Sequence, residues 1–465
     1  MTVSTPTEIG DASTRTPFPP AAGDVARRAA RLNILIVSHA FPPANLVGAV
    51  RIGKFARFLH KAGHDVRVVA APAAGDASLP LEIPAERVVY PAGWAGHKVS
   101  ENLVGLVRRF GPRKGSGGAV AASAAPPAAP GDAGFAAAVT HHCRALLHIR
   151  DARVGWIGAA SVAGYDIARG WRPDIVVGSG PPHSGLVAAA RIARICGAPW
   201  VADLRDLWAV DACYTAPLWR LWLDRVIERR VLGSAAGLVT VSPAWAATLR
   251  GKYRQPVACI LNGYDDEDLS PERSAPPPGD VVSIVYTGDI CIGDRDPSPL
   301  FEAIGLLGDA RAGVTVHFYG PAEAAVIPLA RRHGAADRIV VHNGVPQKSS
   351  LALQSAADVL LLLQRNHPRD EGNIPAEFFE YLGAGRPILM LGYEKGDLAA
   401  LIRKRRAGVV ANDPAAIARQ LRSWIAQRPA GIPPVDPAAR AGLGRAQQFQ
   451  EYERFLNEIL LAEQP

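Results

Sequence analysis

The chain has 465 residues, of which 48% are apolar and 20% charged, and it carries 51 Lys and Arg against 43 Asp and Glu. This apolar content excludes a wholly disordered protein, and the length suggests about two or three domains. The formal net charge of +8 suits a protein that meets anionic ligands or an anionic membrane face, although a proteome rich in Arg and Ala produces the same excess.

The cysteines and the N-terminal segment indicate a reducing compartment. The five cysteines form no Cys-x-x-Cys pair, so we expect neither a disulfide framework nor a zinc site, and we expect no cofactor. Residues 1–30 lack the apolar run of a secretory signal, and no apolar run approaches the ~20 residues that cross a bilayer. We therefore predict a soluble or peripheral protein, either free in the cytoplasm or associated with the inner face of the membrane.

A first series of strands and helices predicts a Rossmann-like N-terminal domain over residues 31–272, after a disordered tail at 1–30. Residues 33–38 form a short β-branched run, and an amphipathic helix and a second strand at 65–70 follow it. This β-α-β pattern favours a parallel sheet, and similar units continue to residue 241. A Gly-, Pro- and Ala-rich stretch at about 111–137 predicts a mobile insertion.

A second series predicts another Rossmann-like domain over residues 273–445, and residues 270–280 are the expected linker. Its strands are predicted at 281–286, 314–318, 339–341, 359–362 and 387–390. A last helix within 446–465 could close this domain or cross back to the first. The fold class is thus α/β, with two doubly wound domains facing across a cleft.

Loops after the strands of the first domain carry the first candidate site residues, because ligands of doubly wound sheets lie beyond the carboxyl ends of the strands. Gly48 precedes a long helix, where a missing Cβ would let backbone N–H groups approach a phosphate, or where turn geometry alone requires glycine. His183 follows another strand, and a lone histidine is often structural. Asp203, Arg205 and Asp206 form either a salt-bridge network or a group that orients an acceptor hydroxyl.

Arg295 is the main candidate cation of the second domain. It follows the first strand of that domain, ahead of a helix that begins near Pro297. A cation at this place would meet a diphosphate held between the two lobes, whereas an isolated arginine can also be a solvated loop charge.

The segment 371–387 is the most specific part of the sequence. Gly372 and Asn373 provide a turn rich in N–H groups, and Pro375 suits the first turn of a helix. Glu377 and Glu380 share one face of that helix. A carboxylate in the first turns of a helix that faces a cleft can accept hydrogen bonds from both hydroxyls of a ribose.

This arrangement resembles family 4 of the retaining, nucleotide-sugar-dependent glycosyltransferases of GT-B fold, which carry a Glu-x7-Glu motif in this segment. The resemblance extends over nearly all of residues 33–462. The motifs that carry it, in chain order, are Ser38–Pro43 with Gly48, Gly63–Val66, Pro173–Asp174, Gly180–Ser184, Asp203–Trp208, Val241–Ser242, Asn262–Asp265, Tyr286–Gly288 and Phe379–Ile388.

The resemblance assigns donor-binding roles in the second domain, which would be the nucleotide-sugar-binding domain. Glu380 matches the second glutamate, which holds the ribose, and Gly372 stands where the first glutamate would contact the donor sugar. The backbone N–H groups of Asn373 and Ile374 could still support the leaving group.

Two further positions depart from the family pattern in the same domain. After the Gly288 motif, Arg295 matches the second residue of a basic pair, whereas Asp289 replaces the first. Glu377 stands where related sequences often have lysine.

In the first domain, which would bind the acceptor, the resemblance places His183 against the acceptor or the donor sugar. The expected activity is transfer of a sugar from a UDP- or GDP-sugar to a glycan or lipid-linked acceptor, with retention and without a metal ion, in surface polysaccharide or glycolipid synthesis. Two alternatives stay open, namely a nucleotide-sugar 2-epimerase on the same fold and a non-catalytic protein that binds nucleotide sugars.

Basic segments suggest a peripheral membrane contact. Arg108 and Arg109, with Arg113 and Lys114, lie beside an apolar stretch and could contact lipid or the acceptor. The basic residues show no aromatic interleaving, so we expect no nucleic-acid partner.

Overall fold

The computed structural model describes residues 31–73, 75–91, 154–208, 218–268, 279–288, 290 and 295–463. The predicted tail at 1–30, the insertion at about 111–137, most of the linker, Asp289 and the basic segment around Arg108 lie outside these residues.

The first domain contains a seven-stranded parallel sheet with the order β3-β2-β1-β4-β5-β6-β7. Its strands are β1 (Asn33–Ser38), β2 (Asp65–Ala70), β3 (Val88–Val89), β4 (Ile175–Gly180), β5 (Trp200–Leu204), β6 (Gly237–Thr240) and β7 (Val257–Cys259). The described helices that connect them are α1 (Val47–Lys61), α2 (Val154–Ala168), α3 (Ser184–Cys196), α4 (Leu218–Leu232) and α5 (Pro243–Lys252).

The second domain contains a six-stranded parallel sheet with the order β10-β9-β8-β11-β12-β13. Its strands are β8 (Val282–Thr287), β9 (Val314–Tyr319), β10 (Ile339–His342), β11 (Val359–Leu363), β12 (Ile388–Leu391) and β13 (Gly408–Val410). The described helices of this half are α6 (Ser298–Gly305), α7 (Glu323–Arg332), α8 (Gln347–Ala356), α9 (Ala376–Ala384), α10 (Asp397–Arg405) and α11 (Pro414–Gln427), and α12 (Arg445–Ala462) ends the described chain.

Both sheets are buried on their two faces, which explains why their strands read as continuous apolar runs. In β1, Leu35 and Val37 enter one core while Ile34 and Ile36 enter the core on the opposite face. The strand order reverses between β1 and β4 and again between β8 and β11. Ligands of such sheets bind outside the carboxyl ends of the strands at these reversals, so the two binding edges are expected at the cleft.

The last helix, α12, packs on the first domain although it follows the second in sequence. The rings of Tyr452 and Phe55 are stacked with centroids 4.2 Å apart, and Phe449 lies 5.1 Å from the same ring. His64 Nε2 and Glu453 Oε1 are 3.0 Å apart. Of the two arrangements that the sequence leaves open for this helix, the structure shows the crossing back.

In the described part of the chain, we find no helix whose length and apolar character would let it span a bilayer.

Candidate functional site

A cavity of about 300 Å³ lies between the two domains. One wall comes from the start of α1 and from residues 262–265, and the other comes from α8, α9 and the segment that leads into α12. The polar and charged side chains of its lining are Arg51, Asn262, Tyr264, Asp265, Gln347, Gln354, Ser355, Glu380, Arg440 and Arg445.

Glu380 lies on the cavity wall, one turn into α9. Pro375 precedes this helix, and Glu380 lines the cavity that residues of the first domain also line, whereas Phe378 and Phe379 lie in the core. Gln354 Nε2 donates to Glu380 Oε2 at 3.1 Å and to Thr287 Oγ1 at 3.0 Å, which orients the carboxylate. Burial raises the pKa of Glu380 above its ordinary value, and the nearby charge of Glu377 adds to this effect.

Asp203 does not reach the cavity. It is fully buried at the end of β5, where its carboxylate accepts hydrogen bonds from Arg51 Nη2 at 3.3 Å and from Ser179 Oγ at 3.1 Å. Of the two alternatives for Asp203, the structure therefore shows the salt-bridge network, because a carboxylate without solvent access and with two partners is not available to an acceptor hydroxyl. Asp203 instead positions Arg51, whose guanidinium also donates to Ile260 O and to Asn262 Oδ1.

Gly48 lies inside the first turn of α1 rather than in the loop before it. A Cβ at this position would stand 1.7 Å from Nη1 of Arg205, so the arginine covers the glycine. Arg205 also donates to the carbonyl of Pro181. The missing side chain thus makes room for a guanidinium, and the approach of a phosphate to Gly48 stays a prediction. Asp206 is exposed beside Arg205.

His183 is almost buried, with 5% of its surface exposed. It immediately precedes α3, and its ring lies 4.8 Å from the ring of Trp208. Contact of His183 with an acceptor or a donor sugar stays a prediction.

Arg295, Gly288 and Glu377 come together at the start of α9. Arg295 Nη1 lies 3.7 Å from Glu377 Oε1 and 3.5 Å from the hydroxyl of Tyr286. Gly288 has φ of +146°, a conformation that favours glycine, and a Cβ there would stand 3.5 Å from the same Glu377 oxygen. The predicted phosphate-binding cation therefore has a carboxylate partner.

The loop that precedes α9 contacts the first domain. A Cβ on Gly372 would stand 2.3 Å from Cδ1 of Trp245, so the indole occupies the space that a glutamate side chain would need. The N–H of Asn373 donates to Asp370 O at 3.0 Å. The N–H of Asn373 thus has a partner within the loop, and support of the leaving group by the N–H groups of Asn373 and Ile374 stays a prediction. Ile374 places its side chain in the core of the second domain.

A second contact between the domains lies beside this loop. Asp397 Oδ2 accepts a hydrogen bond from the backbone N–H of Ala244 at 2.7 Å, near the start of α5. The N–H of Asp397 in turn donates to Glu371 O at 2.7 Å. Burial raises the pKa of Asp397 above its ordinary value. The cleft is thus closed on one side by a carboxylate that caps a helix of the other domain.

Several cavity residues were missed at the sequence level. Arg51 had a usable signal, since it stands between Gly48 and Phe55 on one face of a helix, and a charge on such a face needs a partner. Arg440 and Arg445 had no local signal because they reach the cavity only where the chain crosses back. Among the residues that the structure describes, no group of three or more His, Cys, Asp or Glu side chains could hold a metal ion.

Comparison with protein families finds a match within the first domain. Residues 48–263 match the profile of a glycosyl transferase 4-like domain. The first domain is therefore a glycosyl transferase 4-like domain. The family predicted from the sequence is confirmed over these residues, and with it the general activity of a glycosyltransferase.

Solved structures show the fold of this glycosyltransferase. Sucrose-phosphate synthase from Thermosynechococcus elongatus matches with a TM-score of 0.60 and 14% identity, over 93% of this chain and all of the other. Anabaena HepE in complex with UDP matches with a TM-score of 0.59 and 12% identity, over 92% of this chain and all of the other.

The lipopolysaccharide outer core galactosyltransferase WaaB also matches, with a TM-score of 0.55 and 12% identity, over 92% of this chain and 99% of the other. Similarity at such identities shows the fold alone, and it confirms the predicted GT-B architecture. No curated protein matches this glycosyltransferase significantly.

Proposed function

We propose that this glycosyltransferase moves a sugar from a UDP- or GDP-sugar to a hydroxyl of a glycan or lipid-linked acceptor, with retention at the anomeric carbon and without a metal ion. The observation that carries the proposal is the place of Glu380. Its carboxylate lies on the wall of the interdomain cavity, one turn into a helix, and Gln354 holds one of its oxygens.

In this proposal the pentose of the donor lies against Glu380, because an ionised carboxylate can accept hydrogen bonds from two neighbouring hydroxyls. The diphosphate lies nearer the first turn of α9, where orphan N–H groups favour negative charge. Arg295 stands at that turn and supplies a full positive charge. Anabaena HepE, of the same fold, was solved with UDP and with UDP-glucose, which supports this ligand class.

The chemistry then depends mainly on position and charge. As the bond between the sugar and the diphosphate breaks, Arg295 and the start of α9 stabilise the growing negative charge of the leaving group. The acceptor attacks from the face that the diphosphate leaves, as the family resemblance implies. A product that keeps the donor's anomeric configuration in NMR spectra, formed at an unchanged rate in EDTA, would support both retention and metal independence.

An acceptor in surface polysaccharide or glycolipid synthesis is part of the same proposal. The fold shared with the lipopolysaccharide galactosyltransferase WaaB supports this acceptor class.

Glu380→Gln tests the proposal by thermal unfolding with UDP, GDP and ADP as probes. We expect UDP or GDP to raise the unfolding midpoint of the wild type, since a ligand that binds the native state stabilises it. Glu380→Gln should weaken that binding by about ten- to a hundredfold, or about 1.4 to 2.8 kcal/mol. Glu323→Gln, an exposed position on α7, is the control and should bind like the wild type.

The pH dependence gives a second measurement on the same variants. Because the pKa of Glu380 is raised, its carboxylate becomes protonated at a higher pH than an ordinary glutamate does, and affinity should fall as pH decreases through that raised pKa. Glu380→Gln should lose this dependence. The proposal would be contradicted if Glu380→Gln bound UDP and GDP as tightly as the wild type and Glu323→Gln do.

A further inference from the structure

Helix α8 buries a glutamine at the place where a surface helix normally buries an apolar side chain. Gln354 is the one buried residue of this helix, and none of its surface is exposed. Leu351 and Leu353 of the same helix are only partly buried. Because burial of an amide is unfavourable unless it forms hydrogen bonds, the contacts of Gln354 should explain its position.

The side-chain nitrogen of Gln354 lies between three acceptors. Nε2 is 3.1 Å from Glu380 Oε2, 3.0 Å from Thr287 Oγ1 and 3.1 Å from Ser350 Oγ. Thr287 ends β8 and Glu380 belongs to α9, so this amide joins α8 to two further elements. An amide nitrogen has two N–H groups and accepts no hydrogen bond, so the N–H that points at Glu380 leaves one for the two hydroxyls.

The carboxylate of Glu380 fixes the orientation of this amide. Rotation of the amide by half a turn would place Oε1 against Glu380 Oε2, and two acceptors would then face each other at the distance that now separates Nε2 from this oxygen. In the observed orientation Oε1 is buried without a hydrogen-bond partner among the described residues. A buried carbonyl without a partner is unfavourable, so the hydrogen bond to Glu380 is the contact that this orientation keeps.

The charges around Glu380 show what this hydrogen bond adds. The charged side chains that face it are Glu377 of its own helix and, from the other segments of the cavity wall, Arg51, Asp265, Arg440 and Arg445. Arg445 attracts the carboxylate, but its Nε lies 3.0 Å from Asp265 Oδ2, so this base already has an acid partner. Burial raises the pKa of Glu380, and the hydrogen bond from Gln354 opposes that effect by favouring the ionised form.

We propose that Gln354 is the positioning residue of the donor site, which holds Glu380 ionised and directed at the pentose and thereby sets the lowest pH at which this glycosyltransferase binds its donor. The proposal rests on the function proposed above, because it takes Glu380 as the group that meets the pentose. Gln354 has no exposed surface, so it acts through Glu380. A substitution of Gln354 should therefore change nucleotide binding only while Glu380 is present.

Gln354→Leu tests this dependence by titration calorimetry of the full chain with UDP and GDP, from about pH 5 to 8. The variant lacks the donor, and we expect it to bind the nucleotide about tenfold more weakly at neutral pH. Its affinity should begin to fall at a higher pH than that of the wild type as the solution is acidified, because the ionised carboxylate has lost a hydrogen bond. Combined with Glu380→Gln, the same substitution should change the affinity less than about twofold.

Gln354→Glu gives a readout that loss of packing alone would not produce. The introduced carboxyl group can donate to Glu380 only while the two groups share a proton, since two carboxylates in contact do not readily ionise together. We expect this variant to bind the nucleotide more weakly as the pH rises and the shared proton is lost. This dependence is opposite to that of the wild type.

Gln427→Leu is the matched control. Gln427 Nε2 donates to Ser423 Oγ at 2.9 Å on α11, with the same spacing of four residues as Gln354 and Ser350, and it is not part of the cavity lining. This control should bind the nucleotide like the wild type. Circular dichroism and the unfolding midpoint should show that every variant folds.

The results separate this inference from the function on which it rests. The inference is overturned if Gln354→Leu weakens binding as much in the Glu380→Gln background as in the wild type, or if its pH dependence matches that of the wild type. If Glu380→Gln weakens binding and Gln354→Leu does not, the inference fails while the proposed function stands. If Glu380→Gln binds the nucleotide like the wild type, both fail.

Discussion

At the scale of single residues, the pair of Arg295 and Glu377 bears most directly on donor binding. The guanidinium that would meet a diphosphate lies 3.7 Å from a carboxylate on the first turn of α9. Both side chains are about one-third exposed, so their mutual attraction is modest, and a doubly charged diphosphate competes for the same cation. Glu377 therefore opposes the ligand that Arg295 attracts.

We predict that Glu377→Gln strengthens nucleoside-diphosphate binding by several-fold up to about tenfold, because it removes a negative charge near the phosphates and leaves Arg295 charged. Titration calorimetry with UDP or GDP measures the change. Glu302→Gln, an exposed position on α6, is the control. Unchanged or weaker binding by Glu377→Gln would mean that Arg295 does not meet the diphosphate.

At the scale of elements, the cavity wall depends on a close crossing between residues 262–265 and the start of α12. The N–H of Arg445 donates to Tyr264 O at 2.8 Å, and the N–H of Tyr264 donates to Leu443 O at 3.3 Å. Gly263 lies where these two backbones meet. A Cβ there would stand 2.6 Å from the backbone N and Cα of Arg445, and backbone atoms cannot move aside as a flexible side chain can.

Gly263→Ala should consequently lower the free energy of unfolding by about 1 to 3 kcal/mol, the usual cost of overpacking. Chemical denaturation monitored by circular dichroism measures it. Gly158→Ala is the matched control, since a Cβ at that exposed position in α2 meets nothing within 4 Å. The control should be neutral or more stable by up to about 1 kcal/mol, as alanine favours helix over glycine. Equal effects of the two substitutions would contradict the close crossing.

At the scale of the whole molecule, two contacts join the domains beside the cavity. Trp245 fills the space next to Gly372, and Asp397 of the second domain caps α5 of the first. These contacts set the distance between the two binding edges. A donor therefore enters either with the domains at this distance or after the domains have moved apart. The raised pKa of Asp397 means that acid weakens the cap at a pH above the ordinary value of 3.8.

Asp397→Ala should therefore separate the domains as well as destabilise the chain. The lost cap costs about 1 kcal/mol, seen as a lower unfolding midpoint, and small-angle scattering should show a larger radius of gyration. Asp413→Ala removes a cap of the same kind within the second domain, where Asp413 Oδ2 accepts from Ala416 N at 2.9 Å. This control should lose similar stability at an unchanged radius. A radius that increases equally in both variants would contradict the interdomain cap.

The sequence by itself determined the two doubly wound domains. Runs such as 33–38 and 65–70 are strands at the predicted positions. A strand that is buried on both faces is mostly apolar, and this pattern can be recognised in the sequence. It also predicted the place of Glu380, since a helix start after a strand faces the binding edge of such a sheet. These features depend on local patterns that repeat every two or 3.6 residues.

Only the tertiary structure decided which polar groups are available to a substrate. Asp203 looked like part of a reactive cluster, yet Arg51, 152 positions earlier, holds it in the interior. Gly372 meets an indole from the other domain, and Arg440 and Arg445 enter the cavity from the end of the chain. Partners so distant in sequence leave no local pattern, and a buried charge or an occupied N–H is a property of the packed interior that surrounds it.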